Sequence, residues 1–315
     1  MKPILPVFLT FGFAALPAFA CGTCGCMLNS DWASQGFTPN GGFRIDLRGD
    51  YFDQTQLRTG TGTVNPANLG VPSDQEIQQR TLNRISTLGI DYAPDANWGV
   101  NVQLPYIQRF HTTIAAGDTD VSTSRGSGLG DVRVVGRFQG FTEDHSFGIQ
   151  LGVKLASGGI HDNFADGPQA GSPLDRGLQL GTGSTDLLLG LYKFGTLTTN
   201  WGYFANALWQ SPFHTKEDFR PSASLSLSAG VRYTGFSAFT PQLQMNYRKE
   251  NLESGANADV DNSGSTRVFL SPGASYRANQ HLQLFGFLQV PVYQKVNGWQ
   301  LEPKYIVSAG FRVSF

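Results

Sequence analysis

Residues 305–315 read YIVSAGFRVSF. Tyr305, Val307, Ala309, Phe311, Val313 and Phe315 fall on one side of an extended chain, and Ile306, Ser308, Gly310, Arg312 and Ser314 on the other, because successive side chains of a strand point to opposite faces. One face is therefore apolar and aromatic, and the other is small and polar. If the apolar face meets hydrocarbon, every backbone N–H and C=O must be paired within the protein. Such a strand needs partners on both sides, in a sheet with no open edge.

The stretch resembles the terminal strand of bacterial outer-membrane β-barrels, which ends in Phe and carries aromatics at alternate positions. Reading outward from it, the same period recurs back to Gly42. Phe43, Ile45, Leu47 and Tyr51 alternate with Arg44, Asp46, Arg48 and Asp50, so one face is apolar and the other wholly charged. Leu88, Ile90 and Tyr92 oppose Asp91; Trp98, Val100, Val102, Leu104 and Tyr106 oppose Asn97, Asn101 and Gln103. Further strands are expected near 128–141, 145–157, 184–194, 200–211, 221–234, 236–249, 265–278 and 281–294. With the first and last this makes about twelve, an even number, as bacterial barrels require.

The connections separate a barrel from a sandwich. Tight turns are expected at 94–97, 142–145, 234–236 and 278–280, where Pro, Asn, Asp and Gly cluster. Longer polar loops are expected at 54–79, 108–126, 158–183, 211–220, 250–264 and 295–303. Alternation of short turns and long loops predicts an all-β, single up-and-down antiparallel transmembrane barrel with its termini at the periplasmic end. Trp98, Tyr106, Trp201, Tyr203, Trp209, Tyr233, Tyr276 and Tyr305 then form girdles at the two membrane interfaces.

Composition agrees. The chain has 315 residues, 15% of them charged, a formal net charge of −1, 38 Gly and 23 Phe. Low charge without a basic excess gives no reason to expect nucleic acid, and no stretch approaches the length of an apolar membrane helix. Residues 1–20, MKPILPVFLTFGFAALPAFA, place Lys2 before an apolar run and end on Ala18-Phe19-Ala20, the pattern of a cleaved secretory signal peptide. The expected organisation is signal peptide 1–20, a cysteine-containing periplasmic segment 21–41, and the barrel 42–315.

All three cysteines lie in that segment, at Cys21, Cys24 and Cys26. Three thiols cannot pair fully. Either one disulfide forms in the oxidising periplasm, or the three thiolates together take a soft ion such as Cu(I). The absence of a fourth Cys or adjacent His argues against structural zinc. A Cu(I) cofactor would bring a periplasmic redox or metal protein as partner.

An enzyme is not expected: an outer-loop His near Asp162, Asp166 or Asp218 could serve hydrolysis, but polar loops hold such neighbours routinely. The glycines of 126–130 match neither the dinucleotide nor the Walker spacing, and His111, His145, His161, His214 and His281 are scattered over turns and loops. Asp259, Asp261 and Asn262 have calcium-loop spacing, but the position where a helix–loop–helix site needs Glu holds Leu270; a solvated acidic loop is the default. The charged face is more informative. Arg44, Asp46, Arg48, Asp50, Asp91, Asp131, Arg133, Arg137, Lys154, Asp186, Arg232, Arg248, Arg267, Arg277 and Arg312 are expected to line the lumen, with Phe269, Phe285 and Phe287 adding an apolar section. The basic excess along the later strands favours anionic or neutral solutes.

Four stretches carry a more specific likeness. GLGDVRV at 128–134 with Phe138, GIQLGVKLASG at 148–158, STDLLLG at 184–190, and VPVYQKVNGWQL at 290–301 resemble the glycine-led strands of the outer-membrane transporter-like family associated with meta-pathway phenol degradation. Ala156 and Ser157 depart from its usual Pro-Thr. The resemblance implies an outer-membrane channel or transporter for a small, hydrophobic or aromatic solute, set in outer-membrane lipid after insertion by the barrel assembly machinery. The competing reading is a non-transporting binding or structural barrel whose cysteines bind Cu(I) or dock a periplasmic partner.

Overall fold

The computed structural model describes residues 35–36 and 41–315. The expected signal peptide and Cys21, Cys24 and Cys26 lie outside the described residues. The rest is all-β: β1 (Gly42–Gly60), β2 (Gly62–Thr63), β3 (Ile77–Ala93), β4 (Trp98–Ile114), β5 (Ser122–Leu129), β6 (Arg133–Phe138), β7 (Phe147–Lys154), β8 (Ser184–Thr198), β9 (Trp201–Thr215), β10 (Ser224–Tyr233), β11 (Phe239–Glu250), β12 (Ser265–Arg277) and β13 (Leu282–Ser314).

Neighbours pair antiparallel in chain order, and β13 returns to pair with β1, closing the sheet. The hydrogen-bonded ring contains eleven elements, with β2 and β5 off that path. An odd ring of alternating directions cannot close antiparallel, so one element must reverse. That element is β13. Residues 283–296 pair with β12 and 296–314 with β1, while Gln289 donates to Ser308 and Gln294 to Glu302 across the fold. The reversal falls at Gly298, whose φ of +58° is left-handed, and a Cβ there would collide with Asp261 O and Asn262 Oδ1. The wall thus has twelve staves.

Alternation decides which way each residue faces. Phe43, Leu47 and Tyr51 are exposed on the outer face, whereas Arg44 and Asp50, one residue away, are buried inside. Around the short-turn end the outer aromatics touch one another: Trp98 with Phe138, Phe138 with Phe141, Trp201 with Tyr233, Tyr233 with Phe236. Phe315 closes the girdle across the seam, its ring 5.8 Å from that of Phe43 and its N–H donating to Phe43 O.

Three boundaries differ from the sequence reading. β1 runs on to Gly60, β3 begins at Ile77 and β4 ends at Ile114, so much of the expected loops 54–79 and 108–126 is strand. The expected loop 295–303 is a tight hairpin tip. Above the hydrocarbon no apolar face is required, and polar residues continue the ladder because their backbones are already aligned. The fourth stave is split into β5 and β6, which pair with the far and near halves of β4. At the break Asp131 turns its carboxylate to accept from Thr182 N and Oγ1 and Gly158 N, at 2.9, 2.7 and 3.0 Å. This fastens the 155–183 connection into the long-loop end.

Candidate functional site

The interior is organised as rungs of paired charge. Nearest the short-turn end, Asp91 accepts from Arg44 Nη1 at 2.8 Å and from both terminal nitrogens of Arg137, and Arg312 pairs with Asp46 at 2.7 Å. Higher up, Arg48 pairs with Asp50 at 2.8 Å, which also accepts from Ser308 Oγ. Lys154 stands 3.1 Å from both Asp131 and Asp186. Arg267 bridges Glu250 and Glu302, and Arg248 joins Glu250 at 2.9 Å. Burying these charges costs several kcal/mol per ion unless they are paired and hydrogen-bonded, which explains the dense pairing.

Most inward positions expected from the alternation therefore fall in ion pairs. Arg232 instead donates to the carbonyl of Gln35, whose side chain accepts from Gln242; Gln35 is buried at this point. Arg277 is exposed and borders the mouth. Glu250, Glu302, Arg109 and Arg176 fall in the stretches expected to be long polar loops, yet they complete the interior. The paired position of Glu302 opposite Gln56 follows only once the strands are known to extend beyond the membrane.

Apolar packing interrupts the ladder. Phe52, Phe269 and Ile306 meet inside the barrel, each 1% exposed, and Phe285 and Phe287 are buried too. The interior keeps open space toward both ends. A vestibule of about 690 Å³ opens at the short-turn end between Arg232, Arg277, His145, Phe194 and Phe236. A smaller chamber of about 230 Å³ lies toward the long-loop end, roofed by residues 176–182.

Buried His111 shares a hydrogen bond with Thr81 Oγ1 at 2.8 Å through Nδ1, and its Nε2 faces Glu76 Oε1 at 3.8 Å. His145 Nε2 lies 3.1 Å from Asn97 Oδ1 and His281 Nδ1 2.8 Å from Ser314 O, both in short turns; His161 faces Glu217 at 3.5 Å on the surface. The calcium-like stretch is used structurally, with Asp259 Oδ1 accepting from Asn262 N and Nδ2. Among the described residues no three His, Cys, Asp or Glu side chains group to hold a metal ion.

A different acidic feature was not anticipated. Glu76, Asp175, Glu253 and Asp259, from three separate long connections, are buried together at the long-loop end. Burial, and then its acidic neighbours Glu253, Glu76 and Asp259, push the Asp175 carboxyl well above its ordinary range. Burial, with Asp259 and Glu250 close by, raises Glu253 to about 8, and burial raises Asp259 to about 6. Glu76 Oε1 and Oε2, Asp175 Oδ1, Glu253 Oε1 and Asp259 Oδ2 have no hydrogen-bond partner among the described residues.

Comparison with solved structures places this fold among outer-membrane barrels. An outer membrane channel from Pseudomonas putida F1 superposes with a TM-score of 0.61 at 11% identity, over 88% of this chain and 97% of that one. The CymD monoaromatic hydrocarbon channel (TM-score 0.46, 10% identity, 95% and 94% covered) and the Ralstonia pickettii toluene transporter TbuX (0.45, 9%, 95% and 98%) are more distant. No family model matches the chain, and no curated protein matches it.

Proposed function

We propose that this outer-membrane barrel is a narrow channel for small solutes, with its short-turn end toward the periplasm. The observation that carries the reading is the interior: a closed wall retaining a vestibule and an inner chamber, each bordered by polar and charged side chains. Inward Phe52, Phe269, Phe285 and Phe287 favour solutes with an apolar body, in keeping with the resemblance to the phenol-degradation-associated transporters. Residues 305–315 are the segment that the assembly machinery would engage. Purified full-length protein in planar bilayers is expected to give ohmic conductance steps smaller than those of wide porins. A folded, heat-modifiable barrel without conductance would overturn the channel and favour a non-transporting barrel.

A further inference from the structure

The inner chamber contains an asymmetry that channel function alone does not require. Its wall carries five cationic side chains, Arg48, Arg109, Arg133, Lys154 and Arg176, against two carboxylates, Asp50 and Asp131. Four of the five are engaged by oxygen acceptors from the protein. Arg48 pairs with Asp50, Lys154 with Asp131 and Asp186, and Arg176 with Glu217; Arg109 donates to Asn83 Oδ1 and to the carbonyls of Gly177 and Gln179.

Arg133 differs. Its hydrogen bond is from Nη2 to the neutral Gln210 Oε1 at 3.2 Å, and it forms no salt bridge among the described residues. Asp186 and Asp131 act on it through space without forming a salt bridge, and the same Gln210 donates from Nε2 to Asp186 Oδ2. Arg48 and Arg248 add like charge around it. Nη2 gives one of its two hydrogens to Gln210, so the other completes a planar fork with Nε or with Nη1 that is matched to a carboxylate. The lining also has an apolar section, built from Ile85, Pro105, Ile107 and Leu180. The volume is below the roughly 300–1,000 Å³ of drug-sized sites, so one small molecule fills it.

On the channel reading above, we propose that this chamber is a binding subsite for a small amphipathic carboxylate, its anionic head on Arg133 and its apolar body against Ile85, Ile107 and Leu180. Residue 133 thereby selects the charge of the solute and the apolar wall selects its shape.

Benzoate, benzyl alcohol and benzylammonium share a shape and differ in charge. In planar bilayers benzoate is expected to reduce the current saturably, and the other two are not at equal concentration. Arg133→Gln should raise the half-blocking concentration at least about tenfold, as loss of a charge-assisted bond implies, and Arg133→Lys should restore part of it. Equal block by benzoate and benzylammonium, or unchanged block in a conducting, heat-modifiable Arg133→Gln barrel, overturns the subsite and leaves the channel intact. If the wild type does not conduct, the channel reading fails by itself. The subsite is then tested by thermal stabilisation of the detergent-solubilised barrel: stabilisation by benzoate that Arg133→Gln abolishes sustains it, and no stabilisation overturns it.

Discussion

Raising the pH should loosen the long-loop end while leaving the wall intact. Glu253 is 3% exposed, its Oε1 has no donor, and the ionisable groups that raise it are acidic, Asp259 and Glu250. Asp175 meets Glu253, Glu76 and Asp259, and Asp259 meets Glu76 and Asp261; His111 Nε2, buried in β4, lies 3.8 Å from Glu76 Oε1 and donates to no partner. A carboxyl that keeps its proton to about pH 8 instead of the ordinary 4.5 stabilises the closed arrangement fully below pH 4.5. That contribution disappears as pH climbs through 8. Its ceiling is about 5 kcal/mol for Glu253, and Asp259 adds less than its own window, between 3.8 and about 6, implies, because the two share one repulsion. Hydrogen exchange of backbone amides in 155–183 and 251–264, at pH 5, 7 and 9 with intrinsic rates corrected, reads the effect directly. Protection should fall with pH in the wild type and persist in a Glu253→Gln, Asp175→Asn variant. Protection that is flat with pH, or that is lost on chelating divalent cations at constant pH, would show that protons are not what neutralises the cluster.

Replacing Arg267 by Met should leave Glu250 and Glu302 buried without their shared cation and lower stability by about 3–5 kcal/mol, seen as a lower unfolding midpoint on heat-modifiable gels. Gly298→Val should cost about 1–3 kcal/mol from the left-handed backbone, beyond which the collision with Asp261 and Asn262 would shift exchange protection at 259–264; unchanged protection there would refute the role of the turn. Reduced protein should bind Cu(I) stoichiometrically against a competing chelator, and a Cys21, Cys24, Cys26→Ser variant should not; equal, negligible binding by both would dispose of the metal reading.

What the sequence reveals about this barrel follows from where hydrocarbon imposes a pattern. From Phe43 to Tyr51 the outer residues must be apolar, so the alternation exposes stave, register and inward charges together. From Gln54 to Arg58 the same strand is above the apolar belt, and Gln, Thr and Arg on both faces read as loop. Arg109 and His111 were lost to the same effect, as was Glu302. The acidic cluster was illegible for another reason: Glu76, Asp175, Glu253 and Asp259 are far apart in the chain, and each looks like a solvated loop acid until the connections converge. The alternation points Asp131 inward, but its partners Thr182 and Gly158 come from a connection with no periodicity at all.

The seam between β1 and the last arm of β13 joins residues more than 230 apart, from Gly60 with Val296 to Arg44 with Ser314. Until that arm is made, the free edge of β1 displays a row of unpaired amides and carbonyls, which lipid cannot solvate and which would template pairing with any other strand. No subset of staves is therefore a stable stopping point within the bilayer. The search for this longest-range contact sets the pace of folding, so substitutions along 299–314 should act on the rate of insertion more than on the survival of barrels already closed.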